Sequence, residues 1–433
     1  MNLARHSLSS TSPIQIFGAT FDSDFTIFTA STPAGFAVYQ SCPLRLIRKR
    51  ELTGGTLAAV VPLHTTNLMF LLGGGRSPMY PQNKVVLWDD ALGTEVAELE
   101  FRERVRGLAC RRGWLAVALR RRVVVFQVGE KVTRYEEWDT GDNPRGLLAL
   151  ATKPNSTLLA IAGRQIGHVQ LIHLPPCPGP GPVGEPFSFP LQKSHKLPTT
   201  QSTSIIAAHT SALNSISLPP SGRLLATTSS RGTLVRIWDS VTGKLIRELR
   251  RGTDKAEIYG VAFRPDEREL CVWSDKGTIH VFTLMVSGAT SNRQSTFSPL
   301  TPFLPLPRYF DSEWSYAQFR IPVQSSHISL ATNPAVQSPM LDPPDEEKCV
   351  VGWIQFSKER GDGEPAVEYQ LIALTYTGGW YRLSLPHQGV ALPRARTLSV
   401  SRTSKGKAKE ETDGRTDCIL EEYRTYGRWD GWG

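Results

Sequence analysis

Hydrophobic residues come in short runs along this chain. Apolar or alternating stretches such as Phe25 to Ala30, Gly35 to Tyr39, Met69 to Leu72, Val85 to Asp89, Leu115 to Leu119 and Val123 to Val128 are rich in β-branched and aromatic side chains. Gly, Pro, Asn, Asp and Ser bound them. Such runs predict strands, because branched and aromatic side chains pack well on a pleated surface and the bounding residues favour turns. No long stretch repeats its apolar residues at the helical period of 3.6.

One unit recurs seven times: a strand of small residues, a turn, then a strand ending in larger apolar or aromatic residues. It reads TIFTASTPAGFAVY at 26–39, LMFLLGGG to NKVVLWDD across 68–90, and WLAVALRRRVVVFQV at 114–128. It returns as LLAIAGRQIGHVQLIHL at 158–174, LLATTSSRGTLVRIWD at 224–239, ELCVWSDKGTIHVF at 269–282 and QLIALTYTGGWYRLSL at 370–385. Five stretches fall outside the repeat: 1–12, 175–204, 285–307, 333–347 and 387–433. Setting them aside leaves about 44 residues per unit, the size of a four-stranded propeller blade. The expected fold is therefore all-β, a seven-bladed β-propeller of the WD-repeat type over 14–386. A pair of β-sandwiches would not explain the repeated unit. Residues 1–13 read as a flexible N-terminus. Residues 175–204 form a proline-rich loop that cannot sustain strand ladders, since proline lacks the N–H donor. Residues 387–433 read as a basic, disordered tail whose aromatic end, ILEEYRTYGRWDGWG, either docks on the propeller or stays free.

Lys and Arg total 49 against 40 Asp and Glu, a net charge of +9. That excess suits an anionic partner: nucleic acid, an acidic protein or a membrane surface. The six cysteines are scattered without a CxxC pair, so neither a zinc site nor a disulfide framework is expected, and reduced thiols in the cytosol fit better. No apolar run approaches the roughly 20 residues that cross a bilayer, so membrane contact would be peripheral. No GxSxG, HExxH or Walker-type loop occurs, and the GGG at 73–75 lacks the following GK[ST] and helix. The expectation is a binding protein without enzymatic activity, metal or cofactor.

The sharpest local feature is ELRRGT at 248–253. A strand is expected from Lys244 to Leu249, with the arginine pair at its end. Neighbouring side chains of a strand point to opposite faces, so Arg250 and Arg251 would serve two different pockets. Guanidinium forks match phosphate oxygens through two-point hydrogen bonds. Gly252 is expected to let the chain turn. On one side of the pair stand His209, Thr210, Ser229, Ser230, Arg231, Thr233 and Arg236. On the other stand Ser274, Asp275, Lys276, Thr278 and His280. Each group is a serine-bearing turn followed by RGTLVRIW or KGTIHVF. The layout predicts two similar anion pockets in consecutive blades. An alternative reading is a solvated basic turn.

With these motifs in view the chain resembles the PROPPIN family, β-propellers that bind polyphosphoinositides in autophagy and endolysosomal trafficking. The family hallmark is Phe/Leu-Arg-Arg-Gly in blade five, met here as Leu249 to Gly252. The stretches LLGGGRSP at 71–78, AAHTSALNSI at 207–216, GVAFRPDERELCVWSDKGTIHVF at 260–282 and LPRYFDSEWSYAQFRIP at 306–322 extend the resemblance over about 14–386. It implies two headgroup sites, one from His209, Thr210, Ser230, Arg236 and Arg250, the other from Arg251, Ser274, Lys276, Thr278 and His280. It also implies a preference for phosphatidylinositol 3-phosphate and 3,5-bisphosphate, which the residues alone do not show.

Residues 283–309 are the second candidate. Phe297, Leu300, Phe303, Leu304 and Leu306 lie there, and no Asp or Glu occurs between Lys276 and Phe310. An acid-free apolar excursion suits insertion at an anionic membrane interface, and the resemblance places it between the outer strands of blade six. A proline-rich loop packed on the propeller is the alternative. The resemblance further implies an autophagy lipid-transfer protein as partner, with Asp22, Asp24, Ser77 and Pro78 as contacts. Ordinary turns explain those residues equally well. The arginines at 102, 104, 106, 111, 112 and 120–122 form either another anionic-partner surface or a solvated face. The expected protein is a monomer in solution, cytoplasmic, and peripheral on autophagosome precursor, endosomal and vacuolar or lysosomal membranes. Two rival classes remain: a WD-repeat scaffold that binds only proteins, and a nucleic-acid binder, which lacks any recognised nucleic-acid module.

Overall fold

The computed structural model describes residues 15–64, 66–153, 156–176, 203–285, 292, 312–322, 348–359, 365–386 and 417–428. Their strands form seven sheets of four antiparallel strands, the blades of a β-propeller, with Glu313–Trp314 added parallel to the outer edge of the fifth. The blades occupy 18–51, 57–100, 107–139, 148–207, 213–250, 258–320 and 349–425. Strands are lettered A to D from the central axis outward.

Each of the seven sequence repeats is the B–C hairpin of one blade. Phe28, Phe70, Leu115, Leu159, Ala226, Leu270 and Leu371, all from B strands, are fully buried. A strand covered on both faces needs apolar residues on both, so it reads as a continuous hydrophobic run rather than an alternating one. The outer strands Arg45–Glu51, Thr94–Glu100 and Val132–Asp139 are largely exposed and correspondingly polar. The Trp-Asp pairs have a local purpose. Asp89 Oδ1 accepts the Ala91 and Leu92 N–H groups at 2.8 and 3.1 Å, and Asp239 Oδ1 accepts those of Val241 and Thr242, both at 2.8 Å. Both aspartates thereby cap the C–D turn of their blades.

The tail boundary moves. Ile419–Thr425 lies in the aromatic end of the expected tail, for which docking on the propeller and a free end were both open; it pairs antiparallel with Gly379–Ser384 and is the outer strand of blade seven. The strand is polar and mostly exposed on an edge, which hid it. Tyr426 behind it is buried. Its hydroxyl donates to the Thr375 carbonyl at 2.8 Å and its ring meets Phe28 and Tyr39 of blade one edge-on. The chain's two ends thus meet in one apolar cluster with Trp380 and Ile372, which closes the ring. Ile16 adds a backbone bond to the Tyr376 carbonyl at 3.0 Å. The expectation for 387–416 lies outside the described residues, as do those for 1–13 and most of 175–204.

Antiparallel order fixes which turns share an end of the disc. B–C turns and blade-to-blade connections lie at one end, here called upper. A–B and C–D turns lie at the lower end. The excursions after Pro176, Met285 and Pro386 all begin between a C and a D strand, in blades four, six and seven.

Candidate functional site

The outer strand of blade five is Leu245–Arg250, one residue later at each end than expected, so Arg250 closes the strand and Arg251 opens the connection to blade six. Packing shows where each arginine goes. Leu249 belongs to a cluster with Ile258, Val272 and Phe282 of blade six. Trp238, on the neighbouring strand of blade five, packs with Ala160, Val169 and Ile206 of blade four. Arg250 pairs with Leu234, which shares the Trp238 face by the alternation of strand residues. Arg250 therefore faces blade four. Leu249 and Arg251 face blade six. The arginine pair is splayed into two inter-blade clefts.

In the first cleft, Arg250 is 2 % exposed. Its Nε donates to Ser312 Oγ at 2.8 Å, and its guanidinium carbon stands 5.5 Å from the centre of the Trp314 ring. His209 is buried. Its Nε2 meets Thr227 Oγ1 at 3.0 Å, and the same hydroxyl accepts the Trp238 indole N–H at 2.9 Å. Burial and then the nearby Arg236 cation push the His209 pKa down to about 4, so its ring is neutral near pH 7. Arg236 shares the cleft but is committed: it donates to the Ala208 carbonyl at 2.7 Å and pairs with Glu248 at 2.8 Å. Its charge is largely matched within the protein. Thr210 and Ser230 are exposed at the upper end.

The second cleft repeats the layout one blade on. Arg251 is 7 % exposed, with Nε donating to the Gly232 carbonyl at 3.0 Å and Nη2 to the Asp254 carbonyl. Burial lowers its pKa below the ordinary value, against the opposing pull of Asp275 and Asp254. The cation is thus under-compensated where it sits, and an anion in the cleft would restore what desolvation removes. Thr278 and His280 alternate with Phe282, which packs on blade five, so they line this same cleft. His280 Nδ1 lies 3.2 Å from Ser315 Oγ. Lys276 is exposed beside Asp275, 3.4 Å between charged atoms. Ser274 is fully buried, and its hydroxyl accepts the Lys276 N–H at 3.4 Å. That bond shapes the B–C turn of blade six.

Gly252 departs from expectation. Its φ is not positive, and a Cβ there would meet nothing within 4 Å. The glycine the site requires is Gly232, with φ of 64° and the Ala256 carbonyl oxygen 1.8 Å from where its Cβ would lie. Gly277, at the matching turn of blade six, has φ of 67°. These two turns are what make the clefts alike. Ser312, Trp314 and Thr227 were missed as site neighbours; the first two stand inside the stretch 306–322, whose resemblance to the family was the available signal.

The other expected surfaces fare differently. Phe297, Leu300, Phe303, Leu304 and Leu306 lie outside the described residues. The excursion that carries them does lie between the C and D strands of blade six. Asp22 and Asp24 are on the A–B turn of blade one at the lower end. Ser77 and Pro78 are on the B–C connection of blade two at the upper end, so the four do not form one surface. Asp22 is buried against His64, with 2.6 Å between Oδ2 and Nδ1, while Ser77 and Pro78 are exposed. The blade-three arginines do not form one surface either. Arg111 is buried and holds the Lys153 and Ser156 carbonyls, whereas Arg120 pairs with Asp142 at 2.7 Å.

Comparison with known proteins places these clefts in context. The PROPPIN family model matches residues 195–306, which include both arginines and the His209 and His280 sides of the clefts. SVP1-like protein 2 of Pichia angusta is 32 % identical over 344 residues, covering 78 % of this chain and 88 % of that protein. SVP1-like protein 2 of Emericella nidulans is 34 % identical over 302 residues, covering 67 % and 86 % respectively. Among solved structures, Kluyveromyces lactis Hsv2 aligns over 95 % of this chain and 99 % of its own at a TM-score of 0.62 and 20 % identity. KlAtg21, solved with the coiled-coil of AgAtg16, aligns over 96 % of this chain and 100 % of its own, with a TM-score of 0.57 and 16 % identity. Seven blades, a Leu-Arg-Arg-Gly strand end feeding two clefts, and relatives matched over most of their length give one conclusion: the chain belongs to the PROPPIN family of phosphoinositide-binding, autophagy-related β-propellers.

Proposed function

We propose that this protein is a peripheral membrane effector in autophagy that recognises 3-phosphorylated phosphoinositides, the 3-phosphate and the 3,5-bisphosphate, with one headgroup in each cleft. The observation that carries this reading is the division of Arg250 and Arg251 between two inter-blade spaces, each with a histidine and a threonine nearby. A planar guanidinium offers several fixed N–H donors, of which the Gly232 and Asp254 carbonyls take two on Arg251. The acid-free excursion 283–309, whose returning stem reaches Arg250 through Ser312, supplies the apolar residues that anchor what the headgroups recognise. On autophagosome precursor, endosomal and vacuolar membranes, the bound protein recruits the lipid-transfer machinery of autophagy.

Vesicle co-sedimentation tests the reading. Full-length protein should pellet with phosphatidylcholine vesicles that contain phosphatidylinositol 3-phosphate and stay soluble with plain ones. The double variant Arg250→Thr, Arg251→Thr should lose about a hundredfold or more in vesicle affinity, since charge-assisted bonds are worth about 1.5–3 kcal/mol each. Equal pelleting by the double variant would return the protein to the scaffold reading.

A further inference from the structure

The stretch that follows the long blade-six excursion is laid directly on the first cleft. Glu313–Trp314 runs parallel to the outer strand of blade five, with Leu249 opposite Glu313 and Arg250 opposite Trp314. Residues in register share a face, so Trp314, and Ser312 two residues before it, lie on the side of Arg250. That is where Ser312 Oγ accepts the Arg250 Nε–H and where the Trp314 ring underlies the guanidinium. Glu313 takes the opposite side. Its carboxylate pairs with Arg247 at 2.5 Å and accepts the Asn292 amide at 2.6 Å. Asn292, itself buried, also exchanges two bonds with the Thr283 backbone, at 2.8 and 2.7 Å. Thr283 ends the strand that leads into the excursion, and Glu313 follows its return. A single clasp therefore joins the departing stem, the returning stem and the outer strand of blade five.

We infer that Ser312 and Trp314 are positioning residues for headgroup recognition by Arg250, held in place by the Asn292–Glu313–Arg247 clasp. The inference rests on the headgroup reading of the first cleft and adds a mechanical link to it. A long arginine side chain loses rotamer freedom when it binds an anion. Ser312 and Trp314 remove much of that freedom beforehand, at the Nε donor and on one face of the guanidinium. Because both residues sit on the stem of the excursion, the segment that meets the bilayer and the arginine that meets the headgroup are tied to one element.

A double-mutant cycle on full-length protein tests this, read by calorimetric titration with soluble dibutanoyl phosphatidylinositol 3-phosphate, which offers no bilayer. Ser312→Ala should weaken binding about tenfold and Ser312→Thr should restore it. In an Arg250→Thr background Ser312→Ala should change nothing further, whereas in an Arg251→Thr background it should keep its tenfold effect. Asn292→Ala should reproduce a smaller loss in the same ligand. Thermal unfolding of each variant accompanies the titrations, and the Ser312→Thr rescue holds the test open should Ser312→Ala fold poorly. Wild-type binding with an unaffected Ser312→Ala, or an equal loss in the Arg250→Thr background, overturns the inference alone. Wild-type protein that ignores the lipid both in solution and in vesicles overturns the headgroup reading and this inference with it.

Discussion

His209 shows how much one side chain at the cleft costs the folded protein. Its ring sits beside the Arg236 cation in a buried place, and both effects, burial first, disfavour the protonated form. The folded pKa is about 4, against an ordinary value of 6.5. The unfolded chain therefore takes up the proton first as pH falls. His209 contributes full stability above pH 6.5, and the contribution is lost as pH drops from 6.5 towards 4, by up to about 3 kcal/mol. Urea unfolding at pH 7.5 and pH 5 should show this loss in wild type and a smaller one in His209→Gln. Equal slopes in the two proteins would mean that His209 is solvated and that the first cleft is more open than its packing suggests. The same low pKa bears on function. On the headgroup reading, a phosphate oxygen beside the ring would raise it, and affinity would then rise as pH falls.

The elements differ in how plainly the sequence announces them. The B–C hairpins were legible because both faces of their strands are buried and the code is then simply apolar. Most of the outer strands were not; that of blade five, expected at Lys244 to Leu249 and found at Leu245–Arg250, is the exception. Outer strands are edges, half exposed and polar, and in blades four, six and seven they stand far from the C strand they join. Ile419–Thr425 is the clearest case, since its pairing partner ends at Ser384 and only tertiary contact selects it. The site divides in the same way. The splay of Arg250 and Arg251 follows from strand alternation within two residues, whereas the bond from Arg250 to Ser312 spans 62 positions and obeys no local rule. The late strand also closes the ring, through Tyr426. Truncating that ring should cost about 3 kcal/mol or more in Tyr426→Ala, as for other buried aromatics. Tyr426→Phe should cost only about 1 kcal/mol, for the single bond to the Thr375 carbonyl. Urea midpoints would decide, and a Tyr426→Ala protein as stable as wild type would mean that blades one and seven hold together without the C-terminal strand.

For the molecule as a whole, what matters is that the two clefts belong to one propeller, on either side of a single blade. A single headgroup contact is weak, because a basic residue near an anionic surface contributes only about 1 kcal/mol. Once one cleft is filled at a bilayer, however, the second meets its lipid at the effective concentration of the membrane plane, and linked sites gain roughly 10²–10⁴ in avidity. This argues for a specific dependence on lipid density. The probability that a second lipid is within reach scales with its mole fraction, so the apparent affinity of wild type for vesicles should rise with about the square of that fraction. Removing either arginine leaves one cleft, so Arg250→Thr and Arg251→Thr should each fall to a linear dependence. Titrating vesicles of increasing phosphatidylinositol 3-phosphate content against the three proteins measures the exponents directly. The two single variants should be interchangeable in slope even where they differ in strength, because Arg250 and Arg251 face separate spaces. A linear wild type would mean that the clefts do not act together. A quadratic single variant would mean that the second lipid is held somewhere other than beside these arginines.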